Sequence, residues 1–249
     1  MGDTGHAVAQ FVTGTFTPQH VFLPDEDYSR ALDALVKAVS DVLITDAFGT
    51  RVFLGKRKVH PLQDWWCIGG RARPGECPRL AAARNVRREL RLDINPARFQ
   101  PVAHYSFLWS MRAQAPAENG TADTCTMHWL RVTDDEAAAA VHDLDEYSEV
   151  QWHTVENVLA GDNFHPALKQ ALLDMRRAAK YEALRAAVSS NDADARIASA
   201  AREFFAATEA RDAAVAGGIV HADLQLNGTY KVRHASVQTM GTEVKTAET

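Results

Sequence analysis

The chain has 249 residues, 46% of them hydrophobic and 24% charged, and its 27 basic and 32 acidic side chains leave a formal net charge of −5. This is the make-up of a globular protein, with a length suited to one large domain or to a domain of roughly 140–160 residues carrying extensions. The balance argues against a nucleic-acid-binding surface, and no apolar run approaches the roughly 18 residues that span a bilayer. The N-terminus lacks the basic and apolar regions of a secretory signal. The three cysteines, Cys67, Cys77 and Cys125, are odd in number and form no CxxC pair. They point away from a disulfide framework or a cysteine-built zinc site and toward a reducing, cytoplasmic setting.

Residues 1–20 carry no clear pattern. Pro24-Asp25-Glu26-Asp27 marks a helix start, followed at helical spacing by Tyr28, Ala31, Leu32, Leu35 and Val39. Val42–Thr45 and Arg51–Leu54 are expected to be strands around a turn, and Trp65-Trp66-Cys67-Ile68 a short buried strand running into Gly69-Gly70. Pro78 opens a helix through Leu92, with Leu80, Ala83, Arg84, Arg87 and Leu90 continuing its pattern. Strands are expected over Ala97–Trp109 and Thr124–Val132, joined by a polar loop placed to cover a pocket. A short helix over Asp134–His142 and a strand over Glu149–His153 follow, then helices over Val155–Leu159 and Pro166–Ser189. This mixture without regular βαβ alternation is α+β. A second alanine-rich helix is expected over Asn191–Gly217, with Ile197, Ala201, Phe204, Phe205 and Thr208 on one stripe. The tail reads as a hairpin with an Asn227-Gly228-Thr229 loop, Leu226 facing Tyr230 and Leu224 facing Val232.

The stretch GGRARPGECPRLAAARNVRRELRL at residues 69–92 carries the chemistry. Glycines let a backbone approach a diphosphate, and carboxylates on the following helix suit hard cations that neutralise a leaving diphosphate. With Gly70, Glu76, Arg84 and Glu89 in this order, the stretch resembles the Nudix box. That family hydrolyses nucleoside diphosphates linked to another group, usually with Mg²⁺ or Mn²⁺. Two positions where the common box has Glu hold Asn85 and Arg88, and Arg91 stands where it has Gly.

The flanks are similar to one subgroup, the GDP-mannose mannosyl hydrolases. They supply the Phe-Leu-Pro helix start at residues 22–24, Asp41, Gly55-Lys56-Arg57, and Pro61-Leu62-Gln63-Asp64-Trp65-Trp66 before Gly69-Gly70-Arg71. The resemblance covers residues 21–175 and implies a Nudix α/β/α sandwich over 21–178. An N-terminal segment at 1–20 precedes it, and an extension at 179–249, a helix and a β-hairpin, follows and is expected to pack on the domain or build a homodimer. It implies that Asp41 and Arg57 line the sugar and diphosphate site, that Arg71 contacts the diphosphate, and that Glu76 and Arg84 form a structural ion pair. Trp65 and Trp129 are further candidates for substrate contact. Mg²⁺, or Mn²⁺, is expected on Glu89, the Gly70 carbonyl and Glu146. The subgroup's Gln-His pair aligns with Glu146-Tyr147, so the base is Glu146, Glu149 or Tyr147; a tyrosine, with an ordinary pKa of about 10, is a poor base near neutrality. The implied substrate is a nucleotide sugar such as GDP-mannose, cleaved to nucleoside diphosphate and sugar. The alternatives are cleavage within another nucleotide's diphosphate and a binding domain of weak activity.

Overall fold

A computed structural model describes residues 8–19, 21–142, 145–190 and 192–237. Asp143, one end of the loop that precedes Tyr147, lies outside the described residues. The chain divides into two compact units, Met1–Val155 and Glu156–Thr249.

The first unit begins with α1 (Asp25–Ala34), whose first turn holds three acids that complement the positive helix end. Strand β1 (Lys37–Thr45) follows, then β2 (Arg51–Arg57), β3 (Trp65–Trp66) and β4 (Ile68–Arg71). After α2 (Pro78–Leu90) come β5 (Gln100–Trp109), β6 (Thr121–Arg131), α3 (Asp134–Ala139) and β7 (Tyr147–Thr154). One seven-stranded mixed sheet runs β3-β2-β1-β6-β5, with β4 paired to β1 and β7 to β2. Strands β1 and β6 are parallel, and every other pairing is antiparallel. This is the expected α+β architecture.

The helix expected to run to Val39 stops earlier. Leu35 is extended, and Val39 lies in β1, bridging Arg71 of β4 and Cys125 of β6. Pairing on both sides of β1 overrides the helical spacing of its apolar residues. The polar loop after β5 does not reach the cleft described below. Its Arg112, 2% exposed, is tied to α1 through Asp33 at 2.6 Å and the Ser29 hydroxyl at 2.7 Å. The loop is an anchor for α1.

Pro78 occupies the first turn of α2, where its missing N–H costs nothing. Ala82, Val86 and Leu90 then recur at helical spacing and bury against Val42, Ile68 and Leu130 of the sheet. The helix ends two residues short of expectation. Arg91 takes the left-handed conformation, φ 56°, and its N–H donates to the Arg87 carbonyl. A side chain is strained there, and glycine is the usual occupant. Arg91→Gly is expected to stabilise the fold by about 0.5–1 kcal/mol, read as a rise in urea midpoint at unchanged slope.

The second unit holds α4 (Val155–Ala160, which begins at the boundary), α5 (Pro166–Ser189), α6 (Asp194–Ala213) and the hairpin β8 (Gly218–Leu224) and β9 (Tyr230–Ser236). Helices α5 and α6 are joined by the buried Asp174, whose carboxylate accepts from Arg211 Nε at 2.7 Å, and by the Tyr181–Phe204 ring contact. Phe205, expected on the same stripe as Phe204, is 61% exposed. The hairpin register also differs from expectation: Leu224 pairs with Tyr230 and Ala222 with Val232. Residues 225–229 form a longer loop, closed by Gln225 N–H to the Thr229 carbonyl at 2.8 Å. The Asn227 side chain accepts from Thr229 N–H, and Gly228 sits at φ +80°. The loop's own hydrogen bonds outweigh the pairing of one more leucine, and Leu226 is left fully exposed. Among the described residues no helix is long and apolar enough to cross a membrane.

Candidate active site

The side-by-side pairing of β1 and β4 builds the site. Asp41 lies opposite Gly69 and Ser40 opposite Gly70. A Cβ at Gly69 would stand 2.1 Å from Asp41 Oδ1 and 2.7 Å from Asp41 Cα. Glycine is required at 69 because the aspartate fills the space a side chain would need. Asp41 is 7% exposed and accepts from Trp66 Nε1 at 3.0 Å. Burial raises its pKa above the usual carboxylate value, opposed by the Trp66 N–H, the Arg57 charge and the Cys125 thiol.

Asp41, Arg57, Gly70 and Arg71, foreseen from sequence, line one cleft. It is walled by Trp66, Phe107 and Trp109, whose rings meet edge-on or tilted at 5.2–6.0 Å between centroids. The two aromatics of β5 were not foreseen, although the alternation Tyr105, Phe107, Trp109 places them on one face of a strand. Lys37 and Asp123 close one end. They face each other in the β1–β6 ladder and pair at 2.8 Å, and Trp109 Nε1 donates to the same aspartate. Arg71 stacks on Tyr28 of α1 at 5.1 Å.

The tryptophans singled out from sequence lie elsewhere. Trp65 is packed edge-on against His153 at 4.7 Å, and the indole that lines the cleft is its neighbour Trp66. Trp129 is buried, donates to Thr45 Oγ1 at 2.8 Å and carries Arg131 on its face at 3.5 Å; it does not line the cleft. Alternation along β3 turns Trp65 to the face opposite Trp66, whereas Trp129 lies six residues along β6 from Asp123, beyond the end of the cleft.

Behind the glycines, Arg84 donates to Glu76 through Nε at 2.6 Å and Nη2 at 2.8 Å, and Nη2 also reaches the Arg71 carbonyl. Glu76 is partly desolvated, yet the Arg84 bonds hold its pKa below the usual value. The expected ion pair therefore fixes the turn 71–76 to α2. Glu89 is 3% exposed, and both its oxygens are taken. Oε1 accepts from Arg88 Nη2 at 2.5 Å, and Oε2 accepts from the Tyr147 hydroxyl. Burial still raises its pKa, against the pull of Tyr147 and Arg88.

Tyr147, proposed from sequence as a catalytic group, is itself 3% exposed. Burial and the neighbouring Glu89 push its phenol further above 10, and its hydroxyl donates to Glu89. Glu146 is half-exposed, 3.7 Å from Arg57 Nη2.

The residue 36–174 segment matches the Nudix domain profile, more than half of the chain. No curated protein matches by sequence. Among solved structures, a MutT/nudix family protein from Enterococcus faecalis is 16% identical, with a TM-score of 0.38 over 48% of this chain and 44% of that one. The chain thus spans less than half of that protein. A MutT NUDIX hydrolase from Burkholderia pseudomallei is 17% identical, TM-score 0.45, over 55% of this chain and 96% of that one. The Escherichia coli dihydroneopterin triphosphate pyrophosphohydrolase is 18% identical, TM-score 0.39, over 55% and 94%.

Nudix hydrolases generally use divalent metals such as Mg²⁺ or Mn²⁺. The donors foreseen for such an ion do not fit it as they stand. Glu89 gives both oxygens to protein donors. The Gly70 carbonyl accepts from Asn85 Nδ2 at 2.9 Å, and Glu146 is drawn to Arg57. A hard cation takes six or more oxygen ligands in a typical site, with carboxylates supplying the charge. Among the described residues no three His, Cys, Asp or Glu side chains gather to hold a metal. The substitution of Asn85 and Arg88 for carboxylates is the physical reason: one covers the carbonyl, and the other neutralises the remaining glutamate.

Proposed function

The chain belongs to the Nudix family of hydrolases, which generally act on nucleoside diphosphate derivatives, and from that premise we propose that its substrate is a nucleotide sugar. The observation that carries this reading is the cleft itself. Three aromatic rings stand beside two guanidinium groups, Arg57 and Arg71, around a buried carboxylate. Rings offer stacking surface to a base or a sugar. Guanidinium groups suit the paired oxygens of a diphosphate. A carboxylate accepts from sugar hydroxyls, the role that Asp41 fills here. Glu146 is the carboxylate beside Arg57 that takes the proton of an attacking water, since Tyr147 is buried and holds its own proton. Binding without turnover is the second reading, favoured by the engagement of both Glu89 oxygens.

Incubation with a panel of nucleotide sugars, with products identified by mass in ¹⁸O-labelled water, tests the proposal and shows whether carbon or phosphorus is attacked. Release of nucleoside diphosphate and free sugar is expected. Arg57→Ala should weaken the substrate's hold by at least about tenfold, the loss of one charge-assisted contact. Absence of both turnover and binding across the panel would overturn the proposal.

A further inference from the structure

We infer that this site holds a diphosphate by guanidinium groups alone, with Arg88 supplying the positive charge that a divalent cation supplies elsewhere. The inference rests on the nucleotide-sugar reading and adds how the phosphates are neutralised. Arg88 reaches over the glycine turn that borders the cleft. Its Nη2 lies 3.5 Å from the Gly69 carbonyl and 3.4 Å from where a Cβ at Gly70 would sit, and Gly70 lines the cleft. The same nitrogen is fixed by Glu89 at 2.5 Å, and Glu89 is fixed from its other side by Tyr147. The glutamate thus acts as an anchor for a cation that belongs to the chain.

A guanidinium carries five N–H donors. Among the described residues the hydrogen bonds of Arg88 run through Nη2, which leaves the Nε and Nη1 donors for an oxyanion. Its side chain is 47% exposed, so those donors are open to a ligand. Arg57 is the second cation of the group. It is linked to Glu146 at 3.7 Å, its charge acts on Tyr147, and its Nε is buried without a hydrogen-bond partner. Arg71 completes the set from β4. Three guanidinium groups offer their N–H donors to the oxygens of a terminal or substituted diphosphate with no ion recruited from solution, Arg88 and Arg57 sharing their charge with Glu89 and Glu146. Recruiting one would require Glu89 to give up two protein donors, one of them charged.

Arg88 is a binding residue in this account, and its test is a binding measurement. Calorimetric titration with inorganic pyrophosphate and with GDP is performed in EDTA and in excess Mg²⁺. Affinity in EDTA is expected to lie within about threefold of that in Mg²⁺. Arg88→Ala should weaken binding by at least about tenfold in both buffers, and Arg88→Lys, which keeps the charge but loses the planar fork, should weaken it less. Circular dichroism checks that both variants fold. Mn²⁺ alone, followed by electron paramagnetic resonance, should find no tight site in the wild-type protein. Binding of pyrophosphate and GDP only when Mg²⁺ is present, a tight Mn²⁺ site, or an unchanged affinity in Arg88→Ala would overturn the inference while leaving the substrate class standing. Failure of both probes to bind in either buffer would overturn the nucleotide-sugar reading and this inference with it.

Discussion

Gly55→Ala is expected to destabilise the first unit by about 3 kcal/mol, since a single added methyl group meets a side chain that cannot retreat. Gly55 sits in β2, opposite Trp66 of β3 and Val150 of β7. A Cβ there would stand 2.4 Å from Tyr147 Cδ1 and 2.5 Å from Cε1. Those distances are well inside van der Waals contact. The tyrosine ring is packed in the core with Val42, Phe53 and Val86, and its hydroxyl is committed to Glu89. Moving the ring therefore strains the core and breaks a hydrogen bond to a buried charged group. Overpacking costs about 1–3 kcal/mol, and a lost bond to a charge about 1.5–3 kcal/mol. Urea unfolding of Gly55→Ala, Tyr147→Ala and the double variant separates this contact from any general effect of glycine. Removing the ring abolishes the clash, so the double variant should be more stable than the sum of the singles predicts, by about 2 kcal/mol. Additive losses would show that Gly55 is not there to admit Tyr147.

The pairing of Gly55 with Tyr147 illustrates where sequence reasoning stops. Turn glycines, the proline that opens α2 and the strand–helix order are local signals, and each was legible. Asp41, Arg57 and Arg71 were legible through resemblance, and the structure lines one cleft with all three. The fate of Glu89 was not. Its spacing on α2 marks a metal ligand, but the identity of its partners depends on two facts that α2 does not contain. One is that Arg88 folds back over the glycine turn, and the other is that β7 delivers Tyr147 beneath β2. Likewise, Trp65 and Trp66 are indistinguishable in sequence, and only the pairing of β3 with β2 decides which indole faces Asp41. The aromatics of β5 carried a visible alternation, yet alternation alone does not say which face of a strand meets a cleft. The tail hairpin forms as expected, and only its register departs, for a different reason. Facing apolar residues favour the shorter loop, but the hydrogen bonds of the Asn227 turn prevail.

The second large effect lies in the core, at His128, and appears as a dependence on pH. His128 is fully buried on β6, between Val42 of β1 and Pro101 of β5. Burial lowers its pKa from 6.5 to about 4, and the nearby charge of Arg79 acts in the same direction. The unfolded chain thus binds a proton below pH 6.5 that the folded chain refuses until about pH 4. Between these values the unfolded state carries more protons, so stability rises with pH. The contribution of a neutral His128 is complete above pH 6.5 and is lost progressively as the pH falls toward 4. At about 1.4 kcal/mol per pKa unit, the loss is about 3 kcal/mol. Asp41 and Glu89 work against it, because their raised pKa values add stability as the pH falls through the upper carboxylate range. The wild-type slope alone therefore mixes opposing effects. The informative quantity is the difference in unfolding free energy between wild type and His128→Leu, measured at intervals from pH 7.5 to pH 4. The carboxylates, and the buried His165 with its own lowered pKa, are present in both proteins and cancel. The leucine variant is expected to gain about 3 kcal/mol relative to wild type across that range, since it has no imidazole to protonate. A difference that stays constant with pH would mean that the ring is hydrated or already charged in the folded state, contrary to its burial between β1 and β5.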